Sequence, residues 1–287
     1  MSLIEYNSIS NGFVIEEFNS IKQDPISSLP EELVLEIFSH LDLATLGRIC
    51  LVSKELKRIA SDEKLWKKAD VYDKAISNKK WAQWFGEEVV KDEDLEEEWR
   101  SLPWNIAGIL ESRCPIFPEK RVIDTHMLVR LPKTLNGGLT LKSLGELAKK
   151  YFSNSDNGYR YIWGPIVQEL GDKSIDKSHW VLMTKDVLPG SRNKSLGEQQ
   201  KIVAELAEKS LISYEVPETL ESAACILSQY FGSNTRLFTD KPWTYTRCKE
   251  KVQGYQTVVG GFAPTGLNVC HDDDDDDSIG VAALWKF

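Results

Sequence analysis

Long apolar runs are missing from this 287-residue chain, and none approaches the roughly 20 residues that a membrane-spanning helix needs. Its first residues, MSLIEYNSISNGFVIEEF, lack a basic start and an extended apolar core, so they do not read as a secretory signal. Cysteine is scarce and scattered: Cys50, Cys114, Cys225, Cys248 and Cys270, with no Cys-x-x-Cys pair. An odd, dispersed set reads as reduced thiols of a cytosolic protein, not as a disulfide frame or a zinc site. Positive charge is also short, with 35 Lys and Arg against 44 Asp and Glu and a net charge of −9. The deficit is uneven. Residues 1–100 carry −8 and residues 101–287 carry −1, and without the six aspartates of 272–277 the second part would stand at +5. No basic stripe interleaved with aromatics occurs, so nucleic acid is not an expected partner. Nor does any internal period appear, which argues against a leucine-rich or propeller solenoid.

What the chain does have is a dense apolar stretch, LPEELVLEIFSHLDLATLGRICLVSKELKRIASDEKLW, from Leu29 to Trp66, in which 19 of 38 residues are apolar. The spacing predicts three short helices. Pro30 suits a first helical position, with Glu31 and Glu32 in the first turn. Leu33, Ile37, Phe38 and Leu41 read as one apolar face. Asp42 offers a cap for a second helix carrying Leu43, Leu46 and Cys50, and Ser53 a cap for a third with Leu56, Ile59 and Ala60. Val34, Leu35, Ile49, Leu51 and Val52 fall partly off these inner stripes. A unit of about 40 residues cannot bury that much apolar surface against itself. Two readings follow: a docking module that completes its core on another protein, or a helical subdomain packed on the rest of the chain.

The ordered set Leu29-Pro30-x-Glu32-Leu33, Ile37-Phe38-x-x-Leu41, Leu46, Leu51-Val52-Ser53-Lys54, Leu56, Ile59-Ala60, Asp62 and Leu65-Trp66 resembles an F-box. Ser53 stands where many F-boxes have Cys. The resemblance covers about a seventh of the chain. It implies a trihelical fold that docks on the small Skp adaptor, and through it on cullin, with the remaining residues selecting a protein for ubiquitylation. The partner-binding residues it implies are Leu29, Pro30, Leu33, Ile37, Phe38, Leu41, Leu46, Leu51, Val52 and Trp66. In such a subunit ubiquitin transfer is catalysed elsewhere, so no catalytic residue and no cofactor is expected; the alternatives are a hydrolase-type domain tethered to the ligase by the F-box, or a decoy that occupies the Skp adaptor.

Residues 1–26 lack periodicity and read as a mobile leader. Residues 71–110 read as a helical and acidic linker, in which Trp81, Trp84, Phe85, Val89 and Val90 form one side of a helix continuing the docking module. Pro103 and Cys114-Pro115-Ile116-Phe117-Pro118 mark the hinge. Residues 111–287 read as an α+β domain able to fold alone. His126–Leu131 and His179–Thr184 are apolar strands, and Asn136-Gly137-Gly138 is a turn. Helices are expected over Leu141–Tyr151, over Tyr161–Leu170 with a fresh start at Pro165, from Ser195-x-x-Glu198 through Lys209, and over Leu220–Phe231 with a stop at Gly232. From Trp243 onward, period-two segments around Tyr245, Val258-Val259, Phe262, Leu267–Val269 and Ile279–Leu284 predict one largely antiparallel sheet. Thr125-His126-Met127, Ser178–Asp186, Pro189–Lys194 and Gly260-Gly261-Phe262-Ala263-Pro264 resemble a domain of F-box proteins encoded by bacteria that live inside amoebae. That implies an exported effector acting in a host cytosol.

Three further groups carry chemistry. His126 and His179, with Asp124, Asp186 and Cys225 or Cys248, contain the residue types of a Cys–His–Asp hydrolase, although no nucleophile sits in a recognisable signature. Pro189-Gly190-Ser191-Arg192-Asn193-Lys194-Ser195 precedes a helix and offers cations for an anion, or is an ordinary capped loop. His271 and Asp272 to Asp277 form an oxygen-rich run without the alternation, glycine or terminal Glu of a calcium loop, and read as a solvated hairpin tip. Trp163, Trp180, Trp243 and Trp285 are core residues or, where exposed, anchors for a target.

Overall fold

The computed structural model describes residues 26, 28–39, 41, 43–62, 65, 74–90, 101–103, 106–210, 212–272 and 274–287. The expected leader before Ile26, the cap at Asp42, Trp66 and the acidic stretch 91–98 lie outside the described residues.

The N-terminal module has the three expected helices: α1 (Glu31–Ser39), α2 (Leu43–Ile49) and α3 (Lys54–Ala60). Ser53 caps α3, its Oγ accepting from the Leu56 N–H at 3.1 Å, a contact worth about 1 kcal/mol to the helix. The small core holds Val34, Phe38, Leu46, Leu56, Ile59, Ala60 and Leu65.

The second domain starts well before the expected hinge. The Ile76 N–H donates to Leu128 O at 2.8 Å, and Ile76 O accepts from the Arg130 N–H at 2.7 Å, so residue 76 extends the edge of β1 (His126–Leu131). Helix α4 (Asn78–Phe85) then drives Trp81 into the main core, fully buried, with the indole N–H donating to Arg130 O at 2.9 Å. Trp81, Trp84 and Phe85 all pack their rings on Phe231. Helix α5 (Ile106–Glu111) buries Ile106 and Leu110 beside Cys114 and Trp180. The segment expected as a linker is thus built into this domain, and α4 does not continue the docking module. A buried indole needs a large apolar partner and an acceptor together, and the β1–Phe231 side supplies both.

Two sheets form where one was expected. The smaller has the order β1-β3-β8, with β3 (His179–Thr184) antiparallel to both β1 and β8 (Leu284–Lys286). The larger runs β2-β6-β5-β4-β7, from β2 (Tyr161–Ile162), β4 (Tyr245–Val252), β5 (Tyr255–Ala263), β6 (Gly266–His271) and β7 (Ile279–Gly280). Its three long strands are antiparallel, while β2 runs parallel to β6 and β7 parallel to β4. The α+β class holds.

Helices α6 (Leu141–Ala148), α7 (Gly164–Glu169), α8 (Leu196–Ser210) and α9 (Thr219–Ser233) complete the domain. Pro165 lies in the first turn of α7, and Ser195 with Glu198 caps α8, both as expected. Tyr161 and Ile162, expected as helix, pair with Asn268 and Val269 as strand. Ala223 to Ser228 of α9 are all fully buried, the mark of a helix enclosed on every side. It runs through Gly232, where an added Cβ would come within 2.7 Å of the Trp84 ring, and ends at Asn234 in the left-handed region (φ 55).

The aspartate run is a crossover, not a hairpin tip. β6 and β7 are not neighbours in the sheet: Asp272 N–H at the β6 end donates to Gln256 O at 3.0 Å, and Ser278 before β7 accepts at its carbonyl from Tyr245 N–H at 2.8 Å. Arg247 of β4, only 2% exposed, donates to Asp274 O at 2.9 Å and to Asp275 Oδ1 at 3.3 Å. A buried guanidinium needs such acceptors, and the run supplies them.

Candidate functional site

An α-helix advances about 100° per residue, so positions 33/37 and 34/38 form separate stripes. Val34 and Phe38 point inward, and Leu33 and Ile37 point out with Leu29 one turn before them. This reverses the expected assignment, in which Leu33 and Ile37 faced the core and Val34 lay off it. The outer strip shows Leu29 at 38%, Leu33 at 52% and Ile37 at 45% exposure, while Leu51 and Val52 after α2 reach 65% and 68%. Pro30 is exposed beside them. Phe38 and Leu46 are 1% exposed and belong to the module's own core, and Leu41 is partly packed there. Phe38 and Leu46 lie beneath the exposed strip, and Leu41 is half-buried at its edge.

Arg58 of α3 grips Glu31 of α1 with two donors, at 3.1 and 2.7 Å, and Glu55 at 2.8 Å. Its guanidinium holds the Glu31 carboxyl below the usual range. The clamp is open to solvent, so it adds little stability. The result is a trihelical unit with a buried stripe, a charged clamp, and, among the described residues, a row of exposed apolar side chains. The F-box-like family matches residues 26–71. The chain carries an F-box-like domain.

F-box domains generally bind a Skp-family adaptor and serve ubiquitin ligases as non-catalytic subunits. No curated protein and no solved structure matches the chain. Among the described residues no helix is long and apolar enough to cross a membrane.

Beyond the F-box, the residue types noted as those of a Cys–His–Asp hydrolase are not brought together. His126 is buried, its Nδ1 2.9 Å from Thr125 Oγ1 and its Nε2 3.0 Å from the Tyr214 hydroxyl. Burial, with Lys185 nearby, pushes this imidazole down to about 4, although the backbone at Val122 opposes the shift. His179 lies elsewhere, between Lys177 O at 2.9 Å and Glu221 Oε1 at 3.3 Å. Burial alone would raise the Glu221 carboxyl. Hydrogen bonds from His179 and Lys286 and the Lys286 charge outweigh it, and the group titrates at about 2. Cys225, one turn along α9, is fully buried, and burial with the Glu221 charge pushes its thiol far up, away from a nucleophilic thiolate. Cys248 contacts Ser222 Oγ at 3.4 Å, not a histidine. Asp124 pairs with Arg121, and Asp186 Oδ1 accepts from the Val187 N–H. A cavity of about 420 Å³ between α4, β1 and the end of α9 has His126 in its wall and no cysteine.

Of the two readings of residues 189–195, the geometry fits the ordinary capped loop, whose cations turn onto the chain itself. Arg192 donates to Asp277 O at 2.6 Å and to Thr244 Oγ1 at 3.0 Å, and Lys194 pairs with Glu198 at 3.5 Å. Of the singled-out tryptophans, Trp180 is core, Trp285 packs on Phe287, Trp163 lies on His271, and Trp243 is 44% exposed. Two residues of consequence were missed from the sequence, Trp81 as a core organiser and Asn268 altogether. The first had a signal in the Trp81-x-x-Trp84-Phe85 spacing, the second none.

Proposed function

We propose that the protein is a substrate-recruiting subunit of a Skp–cullin–F-box ubiquitin ligase, with the F-box holding the adaptor and residues 74–287 holding the target. The supporting observation is that Leu29, Leu33, Ile37, Leu51 and Val52 stay exposed on one small module, the kind of apolar patch that marks an interaction site. The resemblance of segments between 125 and 264 to F-box proteins of amoeba-dwelling bacteria extends the proposal to an exported effector that redirects host ubiquitylation in the cytosol.

The test is capture of purified Skp adaptor and cullin by the full chain. Leu33→Ala with Ile37→Ala should weaken capture by about tenfold or more, as loss of central interface anchors does, while leaving the fold intact. Undiminished capture by the folded double variant refutes this docking face.

A further inference from the structure

The larger sheet has two unlike faces. One, with Leu267, Val269, Val259 and Cys248, belongs to the main core. On the other, strand register aligns Tyr161, Asn268, Gly260 and Tyr245 in a row across four strands. Glycine in the middle leaves the row without a side chain between Asn268 and Tyr245. Tyr161 is 50% exposed, and the Trp243 ring lies parallel to Tyr245 at 5.9 Å and 8°.

Asn268 sets this face apart. It is 7% exposed, its Nδ2 donates to the Tyr245 hydroxyl at 3.0 Å, and its Oδ1 is buried with no hydrogen-bond partner. A native protein leaves few such atoms, because an unpaired buried polar group is costly. An incoming N–H would satisfy it.

Charge beside the row is mixed: Arg192 donates to Trp243 O at 3.4 Å and to Asp277 O at 2.6 Å, and the carboxylates of the aspartate run stand beyond it. Asp274 and Asp275 of the crossover lie on the same face, since Arg247, two residues beyond Tyr245 on β4, holds them there. Asp274 and Asp277 are exposed, and among the described residues Asp275 is the carboxylate of the run in an ion pair. Aromatic faces next to fixed carboxylates favour a ligand cation. The chain makes one such contact itself: Arg160 lies 5.2 Å over the Trp243 ring, with Asp240 as its counter-ion at 3.5 Å.

We propose that the row Tyr161, Asn268, Tyr245 and Trp243, flanked by Asp274 and Asp277, is the recruiting surface, and that it takes an extended, lysine- or arginine-bearing segment of the target protein. A backbone N–H of that segment meets Asn268 Oδ1, its apolar stems cover the rings, and its cations face the aspartates. The proposal rests on the recruiting role above and gives it a surface and a ligand chemistry.

The test titrates full-length protein into a fluorescent peptide of alternating lysine and threonine, and into its glutamate–threonine counterpart. The lysine peptide should bind at least tenfold more tightly, and binding should weaken as salt rises. Tyr161→Ala with Trp243→Ala should weaken it at least tenfold, and Asp274→Asn with Asp277→Asn should flatten the salt dependence. All four side chains are exposed, so these variants keep the fold. Equal binding of the two peptides, or lysine-peptide binding that survives both double substitutions, overturns the proposal. Adaptor capture is measured on the same samples. A chain that captures adaptor but ignores the peptide refutes this surface alone, whereas a parent chain that captures no adaptor refutes the ligase reading.

Discussion

Removing the Trp81 side chain is the sharpest check on where the second domain begins. The indole is fully buried among Trp84, Phe85 and Phe231, and its N–H serves Arg130 O. Trp→Ala in such a site costs about 4 kcal/mol, a large share of the roughly 5–15 kcal/mol that holds a domain folded. With a urea dependence of about 2 kcal/mol per molar, the midpoint of the second domain should fall by about 2 M. Trp81→Phe keeps an apolar ring and loses the donor, so it should cost about 1–2 kcal/mol and apportion the effect between packing and hydrogen bond. The assay is urea unfolding of the full chain followed by far-UV circular dichroism. Residues 74–287 should melt cooperatively and residues 110–287 should not, contrary to the expectation from sequence that the shorter span suffices. A Trp81→Ala midpoint unchanged, together with cooperative melting of 110–287, would show that α4 is an accessory.

Two further outcomes follow from the buried polar groups. His126 has its imidazole depressed to about 4 against about 6.5 in an unfolded chain, so the unfolded state binds the extra proton first. Its contribution is intact above pH 6.5 and should be lost as pH falls through 4, on the order of 3 kcal/mol; His126→Gln should shrink the stability difference between pH 7 and pH 4 by that amount, and identical pH profiles would refute it. Arg247→Met should cost on the order of 3 kcal/mol in chemical unfolding, because Asp274 O and Asp275 lose a buried charged donor. Asp275→Ala, at a half-exposed partner, should cost about 1 kcal/mol, and equal costs for the two would refute the crossover account.

Signals confined to a few neighbouring residues were legible in the sequence. Ser53 and Ser195-x-x-Glu198 capped the helices they announced, Pro165 opened one, and the runs at 126–131 and 179–184 became strands. Which stripe of α1 faces inward was not legible, because apolar residues at 33, 34, 35, 37 and 38 fill several faces at once. Tertiary packing chose Val34 and Phe38. The aspartate run misled for a related reason: mutual repulsion is a local rule, and the arginine that answers it sits 28 residues away in sequence. Strand partners were harder still. Nothing around Leu284 says that it joins β3 instead of the larger sheet, and nothing around Ile76 says that it meets Val129. The F-box strip was readable as surplus apolar surface, though not residue by residue. The open acceptor of Asn268 depends on what four strands place around it.

The smaller sheet also sets an order in time. Its strands come from residues 126–131, 179–184 and 284–286, with Ile76 bridging onto the first, so one ladder spans more than 200 positions of chain. The F-box core, by contrast, closes within residues 34–65. During synthesis the short-range module can fold as soon as it emerges, while the domain behind it must wait until residue 286 has been made, because distant pairings are slow to close. The F-box-like core can therefore close first, and under the proposed function the chain would meet its adaptor before it has a complete domain with which to hold a target.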